Sequence, residues 1–223
     1  MARITPYSAV NMFHDVSVDA DAWNSFPTPD VVDITAKAVG KRGITVKLAK
    51  DSGEALAAIQ QLIPPGAEVM SGSSTTLVEI GFDEYISSAA CSWRVLHQAI
   101  TAENDAEKRL ILRRKSVAAD YFVSSVNAIA RSGEIVACDQ SGSRVGAWPF
   151  AAGHLILVAG INKIVPTLEA AFSRIRKYAF PLENARAMKA YGTPSMIGKC
   201  VVLAHEKQEG RITLVLVSET LGY

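Results

Sequence analysis

Leu155-Ile156-Leu157-Val158-Ala159 is an unbroken aliphatic run. A strand with one wet face alternates apolar and polar residues. A run without alternation belongs to a strand covered on both faces, as in a parallel sheet flanked by helices. Residues 44–48, 67–70, 121–124 and Ile212–Val217 also read as strands. Between them lie helical patterns: Val31, Ile34 and Ala38, closed by Gly40 and Gly43; then Leu56, Ile59, Leu62 and Ile63, capped by Asp51 or Ser52 and ended by Pro64-Pro65-Gly66. A charged helix is expected over about 103–117. Another starts at Pro166, carries Leu168, Ala171, Phe172, Ile175 and Tyr178, and is limited by Pro181. Residues 127–139 read as a hairpin turning at Ser132-Gly133. Strands alternating with helices predict an α/β fold: a Rossmann-like, largely parallel sheet with helices on both faces. Residues 30–223 are expected to form one domain. Residues 1–29 form an irregular arm, with Trp23 and Phe26 as anchors, that packs on its own domain or reaches to a partner subunit in a homo-oligomer.

Charge and cysteine usage narrow the functional classes. A net charge of +1 leaves no concentrated basic face for nucleic acid. The clusters Arg113-Arg114-Lys115 and Arg174, Arg176, Lys177 are expected to be solvated helix faces. The most apolar run, 155–161, is about a third of the roughly 20 residues that span a bilayer, so no membrane partner is expected. The start lacks the pattern of a secretory signal, and a cytoplasmic location is expected. Cys91, Cys138 and Cys200 are far apart, and His14, His97, His154 and His205 share no helical face. Neither a metal site nor a cofactor is therefore expected from spacing.

Three stretches carry chemistry. Gly72-Ser73-Ser74-Thr75-Thr76 joins a strand to a helix start, where free N–H groups and hydroxyls suit a phosphate or carboxylate; a loop that only caps its own helix has the same composition. Gly160-Ile161-Asn162-Lys163 follows the most apolar strand, and Lys163 there is a point charge for an anion, a base, or the partner of a nearby carboxylate. Asp139-Gln140-Ser141-Gly142-Ser143-Arg144 offers Arg144 as a planar fork, or ties itself together through Asp139. Ligands of open α/β sheets bind outside the carboxyl ends of strands, which favours the ligand roles. The catalytic candidates are Lys163, Glu79 and Glu134; the ligand-binding candidates are Gly72, Ser73, Ser74, Thr75, Thr76, Asn127, Arg144 and Asn162.

The stretches Ala119-Asp120-Tyr121-Phe122-Val123-Ser124-Ser125-Val126-Asn127-Ala128-Ile129, Gly142-Ser143-Arg144-Val145 and Val158-Ala159-Gly160-Ile161-Asn162-Lys163-Ile164-Val165 resemble the LUD (lactate-utilisation) family. Arg174-Ile175-Arg176 and the segment from Arg211-Ile212-Thr213 to Glu219 are similar again. The resemblance implies an isomerase/CoA-transferase-like fold and an accessory subunit of lactate (2-hydroxy acid) utilisation. Such a subunit binds a small anionic metabolite and works beside iron–sulfur or flavin redox subunits. The alternative it implies is a stand-alone isomerase- or CoA-transferase-like enzyme acting on a sugar phosphate or acyl-CoA; a scaffold with a vestigial pocket is a third reading. Two positions depart from the family pattern: Ser143 stands where Asn is common, and Ser195 where the Cys of a Thr-Pro-Cys motif is common. With Ser195 in place, neither a paired-thiol nor a metal role is expected for that loop, because Cys200 alone cannot supply one.

Overall fold

The computed structural model describes residues 2–12 and 16–223; His14 lies outside the described residues. Two helical turns, α1 (Ala9–Met12) and α2 (Ala20–Trp23), precede α3 (Pro29–Lys41), β1 (Thr45–Ala49), α4 (Ser52–Leu62) and β2 (Glu68–Ser71). Next come α5 (Thr75–Glu79), α6 (Phe82–Ser87), β3 (Arg94–Val95), α7 (Leu96–Ala102), α8 (Ala106–Lys115) and β4 (Tyr121–Ser125). The chain then forms β5 (Ala128–Ala130), β6 (Ile135–Asp139), β7 (His154–Gly160), β8 (Ile164–Val165), α9 (Leu168–Arg174), α10 (Phe180–Tyr191), β9 (Lys199–Leu203) and β10 (Ile212–Val217).

Six strands in the order β1-β10-β7-β4-β2-β3 make a sheet whose pairs are all parallel. The aliphatic run lies at its centre. Leu155, Leu157 and Ala159 of β7 pack with Leu214, Leu216 and Trp148 on one face, while Ile156 and Val158 pack with Val215, Ile59 and Leu77 on the other. Both faces are dry, which is why the sequence shows no alternation there. Local caps set the flanking helices: Asp51 accepts from the N–H of Glu54 at α4, and Asp105 from those of Glu107 and Lys108 at α8. The Asp105 cap also splits the expected helix over 103–117, because it starts α8 afresh after α7 has ended at Ala102.

Two features exceed the sequence reading. The hairpin of β5 and β6 belongs to a separate sheet, ordered β8-β5-β6-β9, in which β9 runs antiparallel to β6. Pro181 does not end its helix. A π-helical turn over Ile175–Ala179 links α9 to α10, and Pro181 falls in the first turn of α10. Proline lacks an N–H and crowds the carbonyl four residues before it; a widened turn ahead of it accommodates both.

The arm packs on its own domain. Met12 is fully buried with Tyr178 and Leu182, and the N–H of Arg3 donates to the carbonyl of Glu79 at 2.8 Å. No helix among the described residues is long and apolar enough to cross a membrane.

Candidate functional site

The carboxyl ends of β2 and β4, and the turn after β7, open into a cavity of about 940 Å³. Thr5, Pro6 and Tyr7 of the arm close one side; Cys138 to Ser141 and Ser143 to Arg144 form another; Phe180, Glu183, Arg186 and Tyr191 of α10 form a third.

The hydroxyl loop divides its labour. Ser74 caps α5 by accepting from the N–H of Leu77 at 3.3 Å, and its Oγ donates to Ser125 Oγ at 2.7 Å. Thr76 is buried and accepts from Lys163. Ser73, exposed, and Thr75, half-buried, line the cavity. Gly72 lies against Arg144: a Cβ there would sit 2.6 Å from its Cγ and Cδ.

Three cations grip three successive carbonyls from the end of β4 onward. Arg144 Nη1 donates to Ser125 O at 2.6 Å, Lys163 Nζ to Val126 O at 3.0 Å, and Arg174 Nη1 to Asn127 O at 2.6 Å. Arg144 also donates through Nη2 to Cys138 O and Asn127 Oδ1, and Lys163 to Thr76 Oγ1 at 2.8 Å. Every one of these acceptors is a neutral oxygen. Burial, then the neighbouring Arg174, holds the Lys163 ammonium well below its ordinary pKa; burial also lowers Arg144 and brings Arg174 to about 10. The site is therefore an electropositive knot in a poorly solvated place.

The two carboxylates of the cavity wall are engaged elsewhere. Asp139 accepts from the backbone N–H groups of Gly142, Arg144 and Val145. Glu183 takes Arg186 Nε and Nη2 at 2.7 Å each and the Tyr223 hydroxyl at 2.8 Å.

Of the candidates named from sequence, Gly72, Ser73, Ser74, Thr75, Thr76, Asn127, Arg144 and Lys163 line this one cavity. Three do not join them. Glu79, the last residue of α5, is buried and accepts from the N–H of Gly222 at 2.6 Å; burial raises its pKa. Asn162 is spent on Asn24 and on the backbone of Leu221. Glu134 pairs with Arg42 and Ser132 at the hairpin turn.

The family model of the LUD domain matches residues 32–220. The chain is a LUD-domain protein. Comparison with curated proteins finds no match. Among solved structures it is similar to a DUF162 family protein from Deinococcus radiodurans (TM-score 0.51, 12% identity, 86% of this chain and 100% of that one). Lower similarity extends to eIF2B delta from Chaetomium thermophilum (TM-score 0.34, 12% identity, 64% and 54%) and to ribose 5-phosphate isomerase from Plasmodium falciparum (TM-score 0.29, 12% identity, 50% and 51%).

Several residues of this LUD domain escape sequence reasoning. Arg113, expected on a solvated face, lines the cavity and reaches Ser143 Oγ at 3.4 Å. Arg174, from the second cluster, is fully buried because Trp23 O, Asn127 O and the Tyr178 ring supply it with partners. Tyr7, Arg186 and Tyr223 come from segments remote in sequence, and nothing local marks them. Cys200 does have a second thiol nearby: β6 places Cys138 directly opposite it. Among the described residues, no group of three or more His, Cys, Asp or Glu side chains is placed to hold a metal ion.

Proposed function

We propose that the cavity binds a small anionic metabolite, and that this LUD-domain protein serves lactate (2-hydroxy acid) utilisation as an accessory subunit beside iron–sulfur or flavin redox partners. The observation that supports binding is the row of Arg144, Lys163 and Arg174 on the carbonyls of Ser125, Val126 and Asn127. Cations packed this closely, away from water and hydrogen-bonded to neutral oxygens, repel one another; an anion in the adjoining cavity relieves that repulsion. The same anion restores Lys163 toward its ordinary pKa, so binding draws a proton onto the protein. LUD-family membership supports the accessory role.

Titration calorimetry with phosphate and lactate, run in two buffers of different ionisation enthalpy, tests this reading. The expected result is saturable binding with proton uptake, weakened at least tenfold by Lys163→Met. At 100 times its Kd, such a ligand raises stability by about 2.7 kcal/mol. No binding and no thermal shift with either anion overturns it. One observation favours a second reading, the stand-alone isomerase- or CoA-transferase-like enzyme: an amine held below its ordinary pKa at a cavity wall is a competent base. Turnover of a sugar phosphate or acyl-CoA, lost in Lys163→Met with folding intact, supports that reading over the first.

A further inference from the structure

Cys138 of β6 stands directly across from Cys200 of β9 in an antiparallel ladder. The N–H of Cys138 donates to Asn127 Oδ1 at 2.9 Å, and its carbonyl accepts from Arg144 Nη2 at 2.6 Å. Both backbone groups are thus spent on the side away from β9, which makes 138/200 a non-hydrogen-bonded pair. Pairs of this kind bring their Cα atoms to about 4.5 Å and their side chains closest, on one face of the sheet. A disulfide spans Cα separations of roughly 4.4–6.8 Å. Cys138 is half-buried, packs in the cluster beneath α9 and lines the cavity, whereas Cys200 is exposed. Cys91 packs in a different core cluster, with Trp93 and Phe82.

We propose that Cys138 and Cys200 are a reversible redox pair in the cavity wall, a dithiol when reduced and a cross-strand disulfide after exposure to a peroxide. The accessible Cys200 reacts first: its thiol gives up a proton, the thiolate attacks one oxygen of hydrogen peroxide, the O–O bond breaks, and the leaving hydroxide takes up that proton, so a sulfenic acid and one water result. The Cys138 sulfur then attacks the sulfenic sulfur, and its proton leaves with the hydroxyl as a second water. Two thiols and one hydrogen peroxide become one disulfide and two waters; the sulfur pair loses two electrons, which the peroxide gains. The order of attack agrees with the environment of Cys138, whose thiol burial first, and the Cys200 thiol beside it next, push up to about 12.

The bond lies where it matters to the cavity. Ser195, Met196 and Ile197, just before β9, form part of the wall, and the N–H of Gly198 donates to Asp139 O at 3.1 Å. On the other side, the backbone of Cys138 helps to hold Arg144 and Asn127. Oxidation therefore ties one wall segment to the strand that positions Arg144, whatever ligand the cavity takes.

The test is to treat the reduced full chain with hydrogen peroxide, then titrate thiols and map peptides without reductant. The titre should fall from the chain's three cysteines to one, with residues 138 and 200 in a single linked peptide, and dithiothreitol should restore all three thiols. Cys138→Ser and Cys200→Ser should each abolish the linkage, and Cys91→Ser should leave it intact. Should Cys138→Ser fold poorly, the exposed Cys200→Ser decides alone. Retention of all three thiols, linkage through Cys91, or sulfinic acid on Cys200 beside an unmodified Cys138 would overturn the proposal.

Discussion

Lys163 Nζ lies 2.8 Å from Thr76 Oγ1. This contact joins the turn after β7 to the first turn of α5, two residues 87 positions apart in sequence. A buried amine there does more than fasten two segments. Burial drives its pKa down first, Arg174 and Arg144 lower it further, and Glu79 draws it up. Its protonation therefore depends both on its exclusion from water and on the charges around it.

The pH profile of stability should show two opposing slopes. Lys163 has a folded pKa below its ordinary 10.5, so between those values the unfolded chain binds the extra proton and stability rises with pH. Glu79 has a folded pKa above its ordinary 4.5; the folded chain keeps that proton longer, and stability falls as pH climbs through this interval. Urea unfolding across pH should lose the alkaline rise in Lys163→Met and the acidic fall in Glu79→Gln. Unaltered slopes in both variants would show that neither group carries its proton differently when folded.

Gly72→Ala should disturb Arg144 without touching it chemically. The new Cβ would lie 2.6 Å from the Arg144 Cγ and Cδ, and the guanidinium beyond them is pinned to Ser125 O and Cys138 O. The side chain cannot swing aside without releasing those carbonyls. Overpacking of this kind costs about 1–3 kcal/mol. The urea midpoint should drop accordingly and anion affinity should fall about tenfold, since 1.4 kcal/mol is one decade. A variant with wild-type midpoint and affinity would contradict the pinned geometry.

Glu134→Gln serves as the contrasting case. Glu134 holds Arg42 and Ser132 at the β5–β6 turn, outside the cavity. Loss of a partly exposed ion pair costs up to about 1 kcal/mol. Stability should decline by that amount while anion affinity stays at the wild-type value; weakened binding would bring Glu134 into the site after all.

Five of the six strands of the main sheet were legible as short runs rich in apolar and β-branched residues, as residues 155–159 and Ile212–Val217 show, whereas β3, only Arg94–Val95, is too short to carry a pattern. Lys163, Arg144 and the hydroxyl loop were legible for a related reason: each follows a strand, and strand ends fix where loops go. What could not be read is pairing at a distance. Cys138 and Cys200 meet only through the β6–β9 register, and nothing in the local sequence of either strand names the strand it pairs with. Arg174 looked solvated because helical periodicity reports which face a residue occupies. It does not report that a distant carbonyl and a ring will cover that face.

Arg174→Lys tests whether that buried arginine organises both the arm and the site. Its Nε donates to Trp23 O at 2.8 Å, its Nη1 to Asn127 O at 2.6 Å, and the guanidinium carbon sits 5.0 Å from the centre of the Tyr178 ring. A lysine keeps the charge but has one nitrogen, and it cannot reproduce a fork aimed at two carbonyls on separate segments. At least one buried carbonyl is left without its donor, at a cost of about 1–3 kcal/mol. If Asn127 O keeps the ammonium, Trp23 is released and amide exchange in residues 16–24 should accelerate while the main sheet stays protected. If Trp23 O keeps it, the row of cations from the end of β4 onward loses a member and anion affinity should fall with the arm still protected. Hydrogen exchange and calorimetry on the same sample distinguish the two. A variant unchanged in stability, arm protection and affinity together would mean that the charge alone, and not the two-pronged guanidinium, holds this junction.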